Sequence, residues 1–146
     1  MTRQEQQILS QLQPRLAVAV AGILAHANAP GKLPPDTVLR AFCGYRTPAE
    51  QLAAFRAGNT KLKKSPHNYQ PARACDLVFH VNGRPSWDHG LPWWLLIYWA
   101  EAAGLEAGGR WGTPARERKL AARPGMRLGW DCPHVQLRGW AARLFH

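Results

Sequence analysis

Four side chains in two short segments are of the types that metal-assisted hydrolysis requires. The first segment runs Ser65-Pro66-His67-Asn68-Tyr69-Gln70-Pro71-Ala72-Arg73-Ala74-Cys75-Asp76-Leu77, and the second Trp130-Asp131-Cys132-Pro133-His134-Val135-Gln136-Leu137. Together they hold two histidines and two aspartates, in a chain with only nine acidic residues. Two neutral imidazoles, one carboxylate and an open fourth position make a hydrolytic zinc site, and a further carboxylate can serve as its base. On this reading His67, Asp76 and His134 hold one zinc ion per chain and Asp131 is the base. Asp76 lies inside an otherwise apolar run, where an unpaired carboxylate is costly. Zinc would meet that need, and so would a nearby Arg or Lys.

These residues must be positioned by local elements that the pattern suggests. Ile8, Leu9, Leu12, Leu16, Ala19, Val20 and Ile23 give a helical stripe over about residues 4–27, with Pro14 as a point of bending. Thr37 to Cys43 is strand-like and ends at Gly44. Thr47-Pro48-Ala49-Glu50 then carries an N-cap Thr, a proline at the first helical position and a Glu three residues after the cap, so a helix runs from there to about Ala57. Arg46 therefore sits at a strand-to-helix junction. Ala72 to Val81 reads as a strand and Asn82-Gly83 as a hairpin turn, with Pro85 confining the returning strand to an edge. Pro92 to Ala103 is a helix, apolar nearly all round and hence central. Leu105 to Trp111 is a turn or short strand, and residues 113–122 form a basic surface segment. If a strand starts at His134, then His134 and Gln136 share one face while Val135 and Leu137 enter the core. Residues 139–146 are expected to close the fold as a short helix packing Trp140 and Leu144.

Composition limits the possibilities. A length of 146 residues suits one domain with a real core, and 46% hydrophobic residues with seven Trp argue for a folded chain. Nineteen Lys and Arg against nine acids give a net charge of +10, which suits an anionic partner: nucleic acid, or an anionic cell envelope. Three cysteines, Cys43, Cys75 and Cys132, show no paired spacing, so synthesis in a reducing cytoplasm is expected. Each lies close to a motif, and a thiolate ligand has to be considered. Cys75 should point away from Asp76 into the core, because neighbours in a strand face opposite sides. The polar start Met1-Thr2-Arg3-Gln4 is no signal peptide, and the apolar run Leu16 to Ala25 is too short for the roughly 20 residues that span a bilayer.

Ser-x-His, Ala-x-Asp-Leu and Asp-x-Pro-His-x-x-Leu, as they stand at Ser65–His67, Ala74–Leu77 and Asp131–Leu137, also resemble the zinc peptidases that comprise bacterial D-Ala-D-Ala carboxypeptidases and phage L-alanyl-D-glutamate endolysins. Tyr45-Arg46-Thr47-Pro48-Ala49-Glu50-Gln51 matches that family's arginine segment, and Gly108-Gly109-Arg110-Trp111 is similar to its Gly-Gly-Asp-Trp, with Arg110 in the Asp position. The resemblance covers about residues 40–138, and the loop from His67 to Asp76 is longer than the family's. It implies an α+β fold of the Hedgehog/D,D-peptidase type, a small antiparallel sheet with helices packed on it. It also implies that Arg46 binds substrate and stabilises its oxyanion, and that Ser65 hydrogen-bonds substrate, though Ser65 could equally shape its loop.

The expected function is hydrolysis of peptidoglycan stem peptides by a monomeric zinc enzyme. The Tyr-Arg-Thr-Pro segment, the Asp-Cys-Pro-His motif and the missing export signal resemble the phage-type L-alanyl-D-glutamate endopeptidases. Those reach the wall through a holin-like, membrane-permeabilising protein. The alternatives are a D-Ala-D-Ala carboxypeptidase or dipeptidase, and a non-catalytic module that binds cell wall or nucleic acid.

Overall fold

The computed structural model describes residues 1–61 and 63–139. Thr2 opens helix α1 (Arg3–Ser10) through a reciprocal cap, in which Thr2 and Glu5 each bond the other's backbone N–H. The helix expected over residues 4–27 is in fact two, for α2 (Pro14–Ala27) starts afresh with Pro14 in its first turn. Proline has no N–H to continue the ladder. The residues before it turn their backbones to a different partner: Ala72 N donates to Gln11 O, and Gln13 N to Ala72 O, both at 2.8 Å. The break thereby ties the N-terminal helices to the segment between His67 and Asp76.

Among the described residues five strands form one sheet: β1 (Thr37–Cys43), β2 (Ala74–Val81), β3 (Arg84–Ser86), β4 (Leu105–Ala107) and β5 (His134–Leu137). All pairings are antiparallel, and the order is β1-β2-β5-β4, with β3 beside β2. The hairpin between β2 and β3 turns at Asn82 and Gly83, both at positive φ as a tight two-residue turn demands. Pro85 lies on the short strand β3, as expected of an edge. The register sets the two faces of the sheet. Cys75 pairs with Val135 and Asp76 with His134, so one face carries Cys75, Leu77, Phe79, Val135 and Leu137 into the core. The other face presents Asp76, His134 and Gln136.

Strand β1 is irregular near its end. Ala41 pairs with Leu77 but Cys43, not Phe42, pairs with Asp76, so the strand carries a bulge that leaves Phe42 as the extra residue, 46% exposed.

Helices cover the apolar face. Leu16, Val20, Ile23 and Leu24 of α2 join Trp93, Leu96, Ile97 and Ala100 of α4 (Trp93–Ala102) in one buried cluster with the inward side chains of the sheet. Central burial of α4 is as its composition predicts, except for Tyr98 and the terminal Ala102, which are exposed. Helix α3 (Pro48–Arg56) has the reciprocal Thr47–Glu50 cap, and α5 (Ala115–Arg118) is a single turn in the basic surface segment. The α+β class with a small antiparallel sheet is thus as expected. Among the described residues no helix is long and apolar enough to cross a membrane. The closing helix expected over 139–146 falls beyond residue 139, outside the described residues.

Candidate metal centre and its cleft

His67 sits in a single 3-10 turn, Pro66–Asn68, built by its neighbours' polar groups. The Ser65 hydroxyl accepts from His67 N at 3.2 Å, and Asn68 Oδ1 accepts from Ser65 N at 2.9 Å. Asn68 Nδ2 in turn donates to Arg46 O at 2.7 Å, and Arg46 N to His67 O at 2.9 Å. The turn and the arginine segment are therefore one unit. Ser65 is buried, and its hydroxyl is engaged in this turn.

Both histidines have their ring orientation set by hydrogen bonds behind them. His67 Nδ1 donates to Gly44 O at 2.6 Å, which turns Nε2 toward Asp76 Oδ1 at 3.3 Å. For His134 the chain is longer. Gln136 Nε2 donates to Glu106 Oε2 at 3.0 Å, so the Gln136 carbonyl must face His134 and accept from its Nε2 at 2.8 Å. That leaves His134 Nδ1 facing Asp76 Oδ1 at 3.5 Å and Asp131 Oδ2 at 3.8 Å. Partners of this kind fix the ligating nitrogen in metal sites. The expected sharing of one face by His134 and Gln136 has a chemical purpose.

Asp76 is the hub. Its Oδ2 accepts from Arg46 Nη2 at 3.4 Å, while Arg46 Nη1 donates to Gln51 at 2.7 Å. Among the described residues, Asp76 Oδ1 and His67 Nε2 are the buried side-chain polar atoms without a hydrogen-bond partner. Buried polar atoms are nearly always satisfied, and two orphans 3.3 Å apart without hydrogen-bond alignment fit a cation held between them. The donor atoms of Cys43, His67 and Asp76 all lie within 4.8 Å of one another. Sequence reasoning admitted a thiolate ligand but did not single out Cys43, because only the bulge in β1 brings that residue opposite Asp76.

The electrostatics fit the same picture. Burial opposes ionisation of Asp76, yet the two imidazoles beside it hold its carboxyl well below the usual carboxylate range. Burial likewise opposes charge on His67, and the Asp76 carboxylate overrides it, pushing the imidazole up to about 10 in the metal-free protein. Asp131 behaves differently. Burial pushes it up to about 6, only partly offset by His134. Burial also raises the thiols of Cys75 and of Cys132, the latter to about 11, so both are core groups as expected of Cys75.

The site opens into a cleft of about 570 Å³ whose lining includes Arg46, Asp76, Asp131, Phe42, Trp87 and Trp130. Phe42 and Trp87 meet edge to face at 5.5 Å on its rim. Trp111 packs on the His134 ring, 4.7 Å between centroids. Arg110, where the resemblance expects an acid, is buried and clamps Glu101 through two bonds of 3.0 and 2.9 Å, with a third to Glu117 O at 2.9 Å. It stitches α4 to α5 and stays out of the cleft. The flanking glycines serve close packing: a Cβ on Gly108 would collide with the Asp131 carbonyl, and one on Gly109 would come within 2.6 Å of Ile97.

Arg46, His67, Asp76, Asp131 and His134 therefore converge, and Ser65 supports them from behind. No family model matches the chain, and no curated protein matches it either. Among solved structures, the chain is similar to the Serratia marcescens L-Ala D-Glu endopeptidase ChiX, with a TM-score of 0.62 at 22% identity over 97% of this chain and 92% of that one. The two share a fold.

Proposed function

We propose that this chain is a zinc-dependent peptidoglycan peptidase that cuts between L-Ala and D-Glu of the stem peptide. The observation that carries the reading is the pair of buried, unpartnered atoms His67 Nε2 and Asp76 Oδ1, with His134 Nδ1 and the Asp131 carboxylate beside them at the cleft. The likeness to an L-Ala D-Glu endopeptidase supports the choice of bond. His67 Nε2, Asp76 and His134 Nδ1 would hold one zinc ion. When bound, zinc supplies Lewis acidity, which acidifies water and polarises a carbonyl.

The remaining roles belong to the chain. Asp131, raised to about 6, is matched to take a proton from water near neutral pH and return it to the leaving amine nitrogen. Arg46, fixed by Gln51 and by its place before α3, brings a permanent cation to the cleft wall, where oxyanion charge develops. Gly44 O and the Glu106–Gln136 pair hold the imidazoles so that no reorientation is needed during the reaction. The net charge of +10 concentrates the protein on an anionic envelope without choosing a bond. Synthesis in the cytoplasm followed by release through a membrane-permeabilising protein belongs to the same proposal.

Digestion of purified peptidoglycan, with the new termini identified by mass spectrometry, tests it. New N-terminal D-Glu with L-Ala retained on the glycan is the expected result. Release of terminal D-Ala alone would make the chain a carboxypeptidase. Digestion unaffected by a chelator would overturn the zinc reading.

A further inference from the structure

Assigning the metal to His67, Asp76 and His134 leaves one donor unexplained. Cys43 is half-buried at the end of β1, and its sulfur belongs to the group of donor atoms within 4.8 Å of one another, with His67 and Asp76. A cysteine alone would mean nothing. Here its neighbours are a histidine 1% exposed, whose Nε2 has no hydrogen-bond partner, and a carboxylate whose Oδ1 has none either.

The backbone explains how the thiol arrives there. In a regular β1, Cys43 would follow Leu39 and Ala41 onto the core face, because a strand alternates and a one-residue shift exchanges the faces. The bulge at Phe42 adds the one residue that transfers Cys43 to the face of Asp76, and the two become cross-strand partners. Phe42 is left on the rim of the cleft, exposed, as the cost of that shift. Arg46 Nη2 lies 3.7 Å from the Cys43 sulfur and 3.4 Å from Asp76 Oδ2, so the guanidinium ties thiol and carboxylate to one place.

We infer that Cys43 is a fourth protein ligand, which closes the metal centre in the resting protein and must leave it before water or substrate can enter. Cys43, His67 and Asp76, with His134 Nδ1 3.5 Å from Asp76 Oδ1, would supply four protein donors, the number that closes a structural zinc site, whereas a hydrolytic site keeps one position open. On closure the S–H bond would break, its proton passing to solvent, and the sulfur would take the position on the ion that a water vacates. On opening the sulfur–metal bond breaks, water takes the position and the thiol regains a proton. No oxidant is involved. The inference rests on the metal reading of His67, Asp76 and His134, but not on which bond is cut.

Reconstitution of the metal-free chain with cobalt(II) tests it. Wild type should show thiolate-to-cobalt charge-transfer absorption in the near ultraviolet, and Cys43→Ser should lose it while still taking up the ion, with affinity lower by about 10-fold or more. Azide, as a probe for an open position, should alter the visible bands of Cys43→Ser and leave those of wild type unchanged. Alkylation mapped by mass spectrometry gives a second readout that needs no variant. Cys43 should be modified in metal-free wild type and protected in the loaded protein. Stoichiometric cobalt without the charge-transfer band, or equal labelling in both forms, overturns the inference and leaves the three-ligand site intact. Failure of wild type to bind cobalt overturns the metal reading itself.

Discussion

Asp131, proposed above as the base, carries a cost in stability. Its carboxyl titrates at about 6 in the folded chain against an ordinary 3.8, chiefly because it is buried. The unfolded chain therefore loses this proton first as pH rises, and the folded state loses stability between the two values and carries the whole penalty above them. In the metal-free protein, Asp131→Asn should raise stability at pH 7 by about 1–3 kcal/mol and change it little at pH 3, measured by urea unfolding at both. The same substitution should leave metal binding intact and lower peptide turnover by about 10²-fold or more. In the wild type, kcat/KM should fall as pH drops through about 6 or somewhat below, since a bound cation favours the carboxylate. Wild-type turnover in Asp131→Asn would assign the base elsewhere.

At the scale of elements, the site depends on how closely the N-terminal helices press on the end of β1. Gly44 lends its carbonyl to His67 Nδ1, and a Cβ on it would come within 2.9 Å of Gln11 Oε1 and 3.1 Å of Ile8 O. Gly44→Ala should push the carbonyl away from the imidazole and weaken zinc binding by about 10–100-fold, as loss of an outer partner does, measured by competition with a chelating dye. Unchanged affinity would show that His67 needs no such support. Much of this arrangement was legible beforehand. Thr47-Pro48-Ala49-Glu50 announced its helix because a reciprocal cap is local, and Asn82-Gly83 announced its turn for the same reason. His67, Asp76, Asp131 and His134 stood out because their types are scarce in this chain and suit one chemistry. What could not be read is set by distant contacts. Pro14 marked a bend but not the full break between α1 and α2, where Ala72 takes the freed backbone bonds; the support of His134 depends on Glu106, and the bulge that turns Cys43 toward Asp76 has no signature in the residues Ala41-Phe42-Cys43. The role of Arg110 likewise rests on a partner in another element, Glu101 on α4.

For the whole molecule, the proposed ion would be linked to the fold. The centre joins segments far apart in sequence, so an ion that binds only the folded chain should stabilise it by mass action, by about 4 kcal/mol at 1,000-fold excess over Kd. In a chain of this length that is a rise of about 10 °C in the unfolding midpoint. Scanning calorimetry with zinc and with chelator checks this, and coincident midpoints would show that no site forms. Zinc uptake near pH 7 should also release protons, because His67 is raised to about 10 in the metal-free chain. The sheet order adds a temporal dimension. Among the described residues β5 is the last strand, yet it lies between β2 and β4, paired with both. During vectorial synthesis on the ribosome, β2 emerges with Asp76 long before the strand that supplies His134. Until β5 inserts, the Ala74–Asp76 end of β2 has an unpaired flank and His134 is not beside Asp76. A nascent or prematurely terminated chain therefore lacks the convergence of Asp76 with His134, and the candidate site is complete only once β5 has joined the sheet.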